Sequence, residues 1–213
     1  MLCTPAFGQI SAEDWVDKGN ALFSQGKYDQ AVQAFNKAIE LDPNNAGAWQ
    51  NWGEALNRQG KYDEAIQACN NATKLDPSNA DAWLSKSTAL GLSGKYEQAI
   101  QASDEAIRIN PQIAEAWGNK GYALFKLGKY EESIRATDEA IKINPTLTGA
   151  WSNKAEALLG LGRNDEALLA SEEDIELDPN YGSAWKNKAI ALEALNRSAE
   201  AQEAYARARE LGS

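Results

Sequence analysis

The chain has 213 residues, 31 acidic against 21 basic, for a formal charge of −10 at pH 7. It holds no His and 2 Cys, which excludes Ser-His and Cys-His catalytic pairs, imidazole metal ligands and CxxC motifs. The acidic balance opposes nucleic-acid backbones, whose binding relies on Lys and Arg releasing counterions, and no run approaches the ~18 apolar residues that cross a bilayer.

Residues 1–11 precede any regular pattern. Leu2, Cys3 and Ala6-Phe7-Gly8 resemble the end of a secretory leader with a small-x-small cleavage site, without the basic stretch and full apolar run of a complete one. The segment reads either as such a remnant, which implies export, or as a disordered tail on a cytoplasmic chain.

From Ala12 onward one period governs the sequence. Trp stands at 15, 49, 83, 117, 151 and 185, Pro at 43, 77, 111, 145 and 179, and Gly at 26, 60, 94, 128 and 162, all in steps of 34; Trp52 alone falls outside the Trp series. With Trp as position 4, the units are 12–45, 46–79, 80–113, 114–147, 148–181 and 182–213.

Within each unit, positions 3, 4, 7, 8, 10, 11 and 14 share one arc of a first helix. Position 10 is always Ala (Ala21 to Ala191) and position 11 always Leu (Leu22 to Leu192). The Gly at position 15 suits a helix C-terminus, where the chain turns left-handed. An acid at position 18 (Asp29, Asp63, Glu97, Glu131, Asp165) then complements the dipole of a second helix. That helix carries Ala at position 23 in every unit and stops at Asp-Pro or Asn-Pro, where Pro lacks the amide to continue. Two short amphipathic helices cannot bury both faces alone, so neighbouring pairs must stack.

Trp at 4, Gly or Ala at 8, Ala at 20, Ala at 27 and Pro at 32 resemble the tetratricopeptide repeat over residues 12–213. The resemblance implies an all-α fold, a right-handed α-α superhelix or solenoid of six helix-turn-helix repeats, whose first helices line a concave groove for a partner peptide or protein. Three departures stand out. Position 7, commonly Leu, is Lys18, Trp52, Lys86, Lys120, Lys154 and Lys188: either stems along the seam with ammonium groups in water, or a functional row. Position 24, often Phe, runs Phe35, Cys69, Ser103, Thr137, Ser171, Tyr205, which implies tighter packing or thinner cores in the middle units. Position 27 is Asp174 in unit five, weakening that seam.

Positions 2, 5, 6, 9, 12 and 13 face away from the core, toward the groove. Position 6 reads Asp17, Asn51, Ser85, Asn119, Asn153, Asn187. A carboxamide donates and accepts at once, so one Asn per unit suits gripping a peptide backbone; the competing reading is a repeat-to-repeat hydrogen bond copied by duplication. Unit four adds Tyr122, Phe125 and Lys126, aromatic anchors of the kind that centre interfaces. Groove acids Glu13, Asp17, Glu54, Asp81, Glu115, Glu156 and Glu193 outnumber Arg58, Lys126 and Lys186, so the ligand is neutral to basic and an acidic chaperone tail is a poor fit. In the last unit Gln202 and Arg209 replace apolar positions, which argues against end-to-end polymerisation. The reading is a non-catalytic interaction scaffold, without metal or cofactor, holding a protein or peptide through Asn51, Asn119, Asn153, Asn187, Tyr122, Phe125 and Lys126. It reads as a monomer; the alternative is a self-associating or complex-assembly module with no groove ligand.

Overall fold

The structure, a computed structural model, describes residues 10–213; the leader reading of Leu2, Cys3 and residues 6–8 lies outside them. The described residues form twelve α-helices and no strand: α1 Ala12–Ser24, α2 Tyr28–Leu41, α3 Ala46–Arg58, α4 Tyr62–Leu75, α5 Ala80–Leu92, α6 Tyr96–Ile109, α7 Ala114–Lys126, α8 Tyr130–Ile143, α9 Thr148–Gly160, α10 Asn164–Leu177, α11 Gly182–Ala194 and α12 Ser198–Glu210. First helices start at position 1 of each repeat and second helices at position 17. The chain divides into two compact units, one ending at Ser93 and one spanning Gly94–Ser213. The third repeat is therefore shared, α5 belonging to the first unit and α6 to the second.

The turn inside each repeat follows from one backbone choice. The position-15 glycines sit at φ between 71° and 79°, which L side chains resist and Gly accepts. This lets the next residue's amide return to a first-helix carbonyl, as in Lys27 N to Leu22 O at 3.0 Å. In the sixth repeat Asn196 takes that place at φ 61°, Asn being the usual second choice. Between repeats, the Trp49 indole N–H donates to the Pro43 carbonyl at 2.9 Å, and the bond recurs from Trp83, Trp117, Trp151 and Trp185 to the prolines six residues earlier.

The core is built on small residues. Ala31, Ala38, Ala55, Ala65, Ala89, Ala123, Ala157 and Ala191 are wholly buried, and Leu56, Leu90, Leu158 and Leu192 lie beside them. Positions 8 and 24 face each other within a repeat. A Cβ on Gly19 would run into the Phe35 ring, one on Gly53 would lie 2.6 Å from Cys69 Sγ, and one on Gly121 2.6 Å from Thr137 Cγ2. Cys69 is thus a buried apolar filler, its thiol pushed up to about 12 by burial.

Within each unit the first helices touch one another, α1–α3–α5 and α7–α9–α11, whereas the second helices meet only first helices. Elements in direct contact lie closer together. Each stack therefore bends with its first helices inside, and the side chains those helices turn away from the core line the inner face.

Candidate functional site

The Lys row is occupied with the fold. Lys18, Lys86, Lys120, Lys154 and Lys188 each set Nζ over the Trp three residues earlier, 4.4–5.8 Å from the ring centroid, a cation–π contact. Three of them also bridge back to the preceding repeat: Lys120 to Asp104 at 2.6 Å, Lys154 to Asp138 at 2.7 Å and Lys188 to Glu172 at 2.9 Å. Lys86 faces a repeat with Asn70 at the corresponding position and lies nearer its ring, 4.7 Å, than those three at 5.5–5.8 Å. The acid draws the ammonium off the indole. Trp52, in the Lys slot, instead packs beside Trp49 at 5.4 Å and against the buried cluster of Ala31, Phe35 and Ala55.

In the second unit, α7 carries Asn119, Tyr122, Phe125 and Lys126. The spacing 119, 122, 126 puts three of them on one face. Lys126 Nζ lies 5.3 Å from the Tyr122 ring centre and 5.2 Å from that of Phe125. Both rings are backed: Tyr122 meets Tyr96 edge-on at 6.2 Å, and Phe125 leans on Tyr130 at 5.9 Å. Tyr130 in turn presses on Gly160, where a Cβ would lie 2.8 Å from the ring. The anchors are therefore rigid and half-buried.

The Asn positions differ in their surroundings. Asn51, in the first unit, donates Nδ2 to Asn20 Oδ1 at 2.9 Å. Asn153 on α9 donates to the Gly118 carbonyl of α7 at 3.5 Å, and Asn187 on α11 to Ser152 Oγ of α9 at 3.4 Å. Asn187 is only 4% exposed, whereas Asn51, Asn119 and Asn153 are half-buried. Bonds of 3.4–3.5 Å are at the weak end of the range, and a carboxamide has two donor hydrogens and two acceptor lone pairs. One such contact leaves most of its capacity unused.

Two of the groove acids counted from the sequence, Glu54 and Glu156, occupy position 9 of the same faces. Burial raises Glu156, a rise opposed by Lys126 of α7 and Lys186 of α11. In the first unit burial raises Glu54, opposed by Arg58 and reinforced by Asp81; Gln50 Nε2 reaches it at 3.5 Å, and Asn57 Nδ2 donates to the Ser85 carbonyl at 2.8 Å. Among the described residues no group of three or more Cys, Asp or Glu is placed to hold a metal ion, and no helix is long and apolar enough to cross a membrane.

Profiles described as tetratricopeptide repeat match residues 16–80, 51–112 and 152–213, and a second such profile matches 114–147. No curated protein matches the chain. Among solved structures, MamA is 25% identical over 79% of this chain and 92% of its own, with a TM-score of 0.67. YrrB, described as a tetratricopeptide repeat protein with an unusual peptide-binding site, is 23% identical over 85% of this chain and 93% of its own, at 0.65. The Cut9–Hcn1 heterotetramer of the APC/C gives 0.86 at 17% identity, over 97% of this chain and 41% of that one. Thirty-four-residue helix pairs, left-handed position-15 glycines, the Trp–Pro bond and the matched profiles agree: the chain belongs to the tetratricopeptide repeat family.

Proposed function

We propose that the chain is a non-catalytic interaction scaffold whose first-helix faces hold an extended, neutral-to-basic peptide. The observation that carries this reading is the face of α7, where Tyr122, Phe125 and Lys126 form one backed cluster beside Asn119 and the weakly bonded Asn153. Backed aromatics beside a carboxamide with bonding capacity to spare, as at Asn153, suit an interface centre. Asn51 offers the same group in the first unit, and half-buried Glu54 and Glu156 favour a ligand bearing amide or cationic donors. The likeness to YrrB, itself described by a peptide-binding site, supports the class of ligand.

The test selects ligands from a displayed library of unstructured twelve-residue peptides and measures their affinity by calorimetry. Replacing Asn51, Asn119 and Asn153 together by Ala should weaken the selected peptides about tenfold or more, roughly 1.4 kcal/mol or above, with helicity and Tm nearly unchanged. Asn187→Ala is measured separately, because its burial makes a fall in Tm the expected result. Unchanged affinity in the triple variant overturns the Asn grip, and failure to select any peptide overturns the groove reading.

A further inference from the structure

Asp174 lies at position 27 of the fifth repeat, where the other five carry Ala38, Ala72, Ala106, Ala140 and Ala208. It is 0% exposed, and neither of its carboxylate oxygens has a hydrogen-bond partner. A buried carboxylate without a hydrogen bond of ordinary length is costly for a core to hold. It sits where α10 meets α9 and α11, in a space that elsewhere takes a methyl group.

Its surroundings offer the ionised form almost nothing. Ser152 Oγ of α9, itself 4% exposed and in contact with Asn187 of α11, is the one group that favours the charge, while Asp178 and Glu156 oppose it. The bases on the flanking helices are engaged elsewhere: Lys154 with Asp138, Lys188 with Glu172, and Lys186 beside Glu156. On α10 itself the last turn holds no base, and the carbonyl of Asp174 already accepts the capping amide of Asp178 at 3.0 Å. A negative charge there also opposes the negative end of the helix dipole. Burial, above all, lifts the carboxyl from 3.8 to about 7.

The elements held by this seam have few other attachments. Within residues 94–213, α11 and α12 touch only each other, α9 and α10. Nearest-neighbour coupling lets such a pair open without the rest of the stack.

We propose that Asp174 makes the junction between the fifth and sixth repeats a proton-gated latch: protonated, it lets α11 and α12 dock on α9 and α10; ionised, it releases them. The sign follows from proton counting. The docked state holds the proton more tightly than the open state, so docking is strongest at low pH. It weakens as pH rises from the ordinary carboxylate range to about 7 and levels off above that. Opening should rise about thirtyfold between pH 5.5 and pH 8.5. The latch does not depend on a groove ligand.

Hydrogen exchange read by mass spectrometry, corrected for intrinsic exchange rates, tests it on the full chain. In the wild type, peptides from α11 and α12 should lose about thirtyfold protection from pH 5.5 to pH 8.5, while those from α7 and α8 hold theirs. Asp174→Ala, which installs the residue of the other repeats, and the isosteric Asp174→Asn should both remove the pH dependence. A flat wild-type profile, an equal loss in α7 and α8, or a loss that persists in both variants would overturn the latch.

Discussion

At the scale of single residues, the core works by matched volumes across each hairpin. Phe35 needs the bare backbone of Gly19, whereas Cys69 and Thr137 leave Gly53 and Gly121 only slightly more room. Gly19→Ala therefore forces Phe35, 1% exposed, off its rotamer and should cost about 1–3 kcal/mol, read as a lower urea midpoint. Phe35→Leu added to it should recover most of the loss, and a double variant no better than the single would contradict the volume match. The small residues at both positions stand out in the 34-residue period, but their pairing emerges only once the hairpin is closed. Of the two readings that the small position-24 residues allow, tighter packing and a thinner core, the close approaches of Gly53 to Cys69 and of Gly121 to Thr137 show the first. Asn187 shows the opposite limit. It shares a letter and a position with Asn153, yet Ser152 beside it and the packing of α11 bury it. The bridges of Lys120, Lys154 and Lys188 were present as a signal, a base sixteen residues after each acid, but each joins two units and is invisible within one 34-residue block.

At the scale of the helix, the two units start their first helices differently. Ser11, Asn45 and Asn79 accept from the third amide of α1, α3 and α5, Ser11 in a capping box with Asp14. Ile113, Leu147 and Tyr181 stand at the same point before α7, α9 and α11 and make no such bond. Leu147 packs on Gly118 instead, at 3.6 Å from where its Cβ would be. Asn79→Ala should thus lower stability by about 1 kcal/mol and Asn79→Gly by a few tenths; equal losses would show that the cap bond contributes nothing. Helix starts, stops and the left-handed glycines were all legible, because each is fixed by one or two adjacent residues. The division after Ser93 was not legible. The 34-residue period runs through it unbroken.

At the scale of the whole molecule, titration should place maximal stability on the acid side of neutrality. Burial raises Glu54, Glu156 and Asp174, so the folded chain holds those protons more tightly than the unfolded one, and stability falls as pH climbs toward 7. Asp14, held down by the Ser11 amide, and Glu166 and Glu200, held down by Arg163 and Arg197, act the other way; their contribution is lost as pH drops through the carboxylate range. Melting curves from pH 3 to pH 9 should peak at about pH 5, and the fall above it should shrink in Asp174→Ala. A maximum at pH 8 would refute this balance. The indole-to-proline bond has a consequence of another kind. Its donor stands at the head of one 34-residue block and its acceptor at the tail of the block before. Excising 46–79 would bring Trp83 six residues after Pro43, the separation every such bond already has. Recombination can thus add or drop whole blocks without a new splice having to be invented, so copy number is free to drift while the splice itself is not.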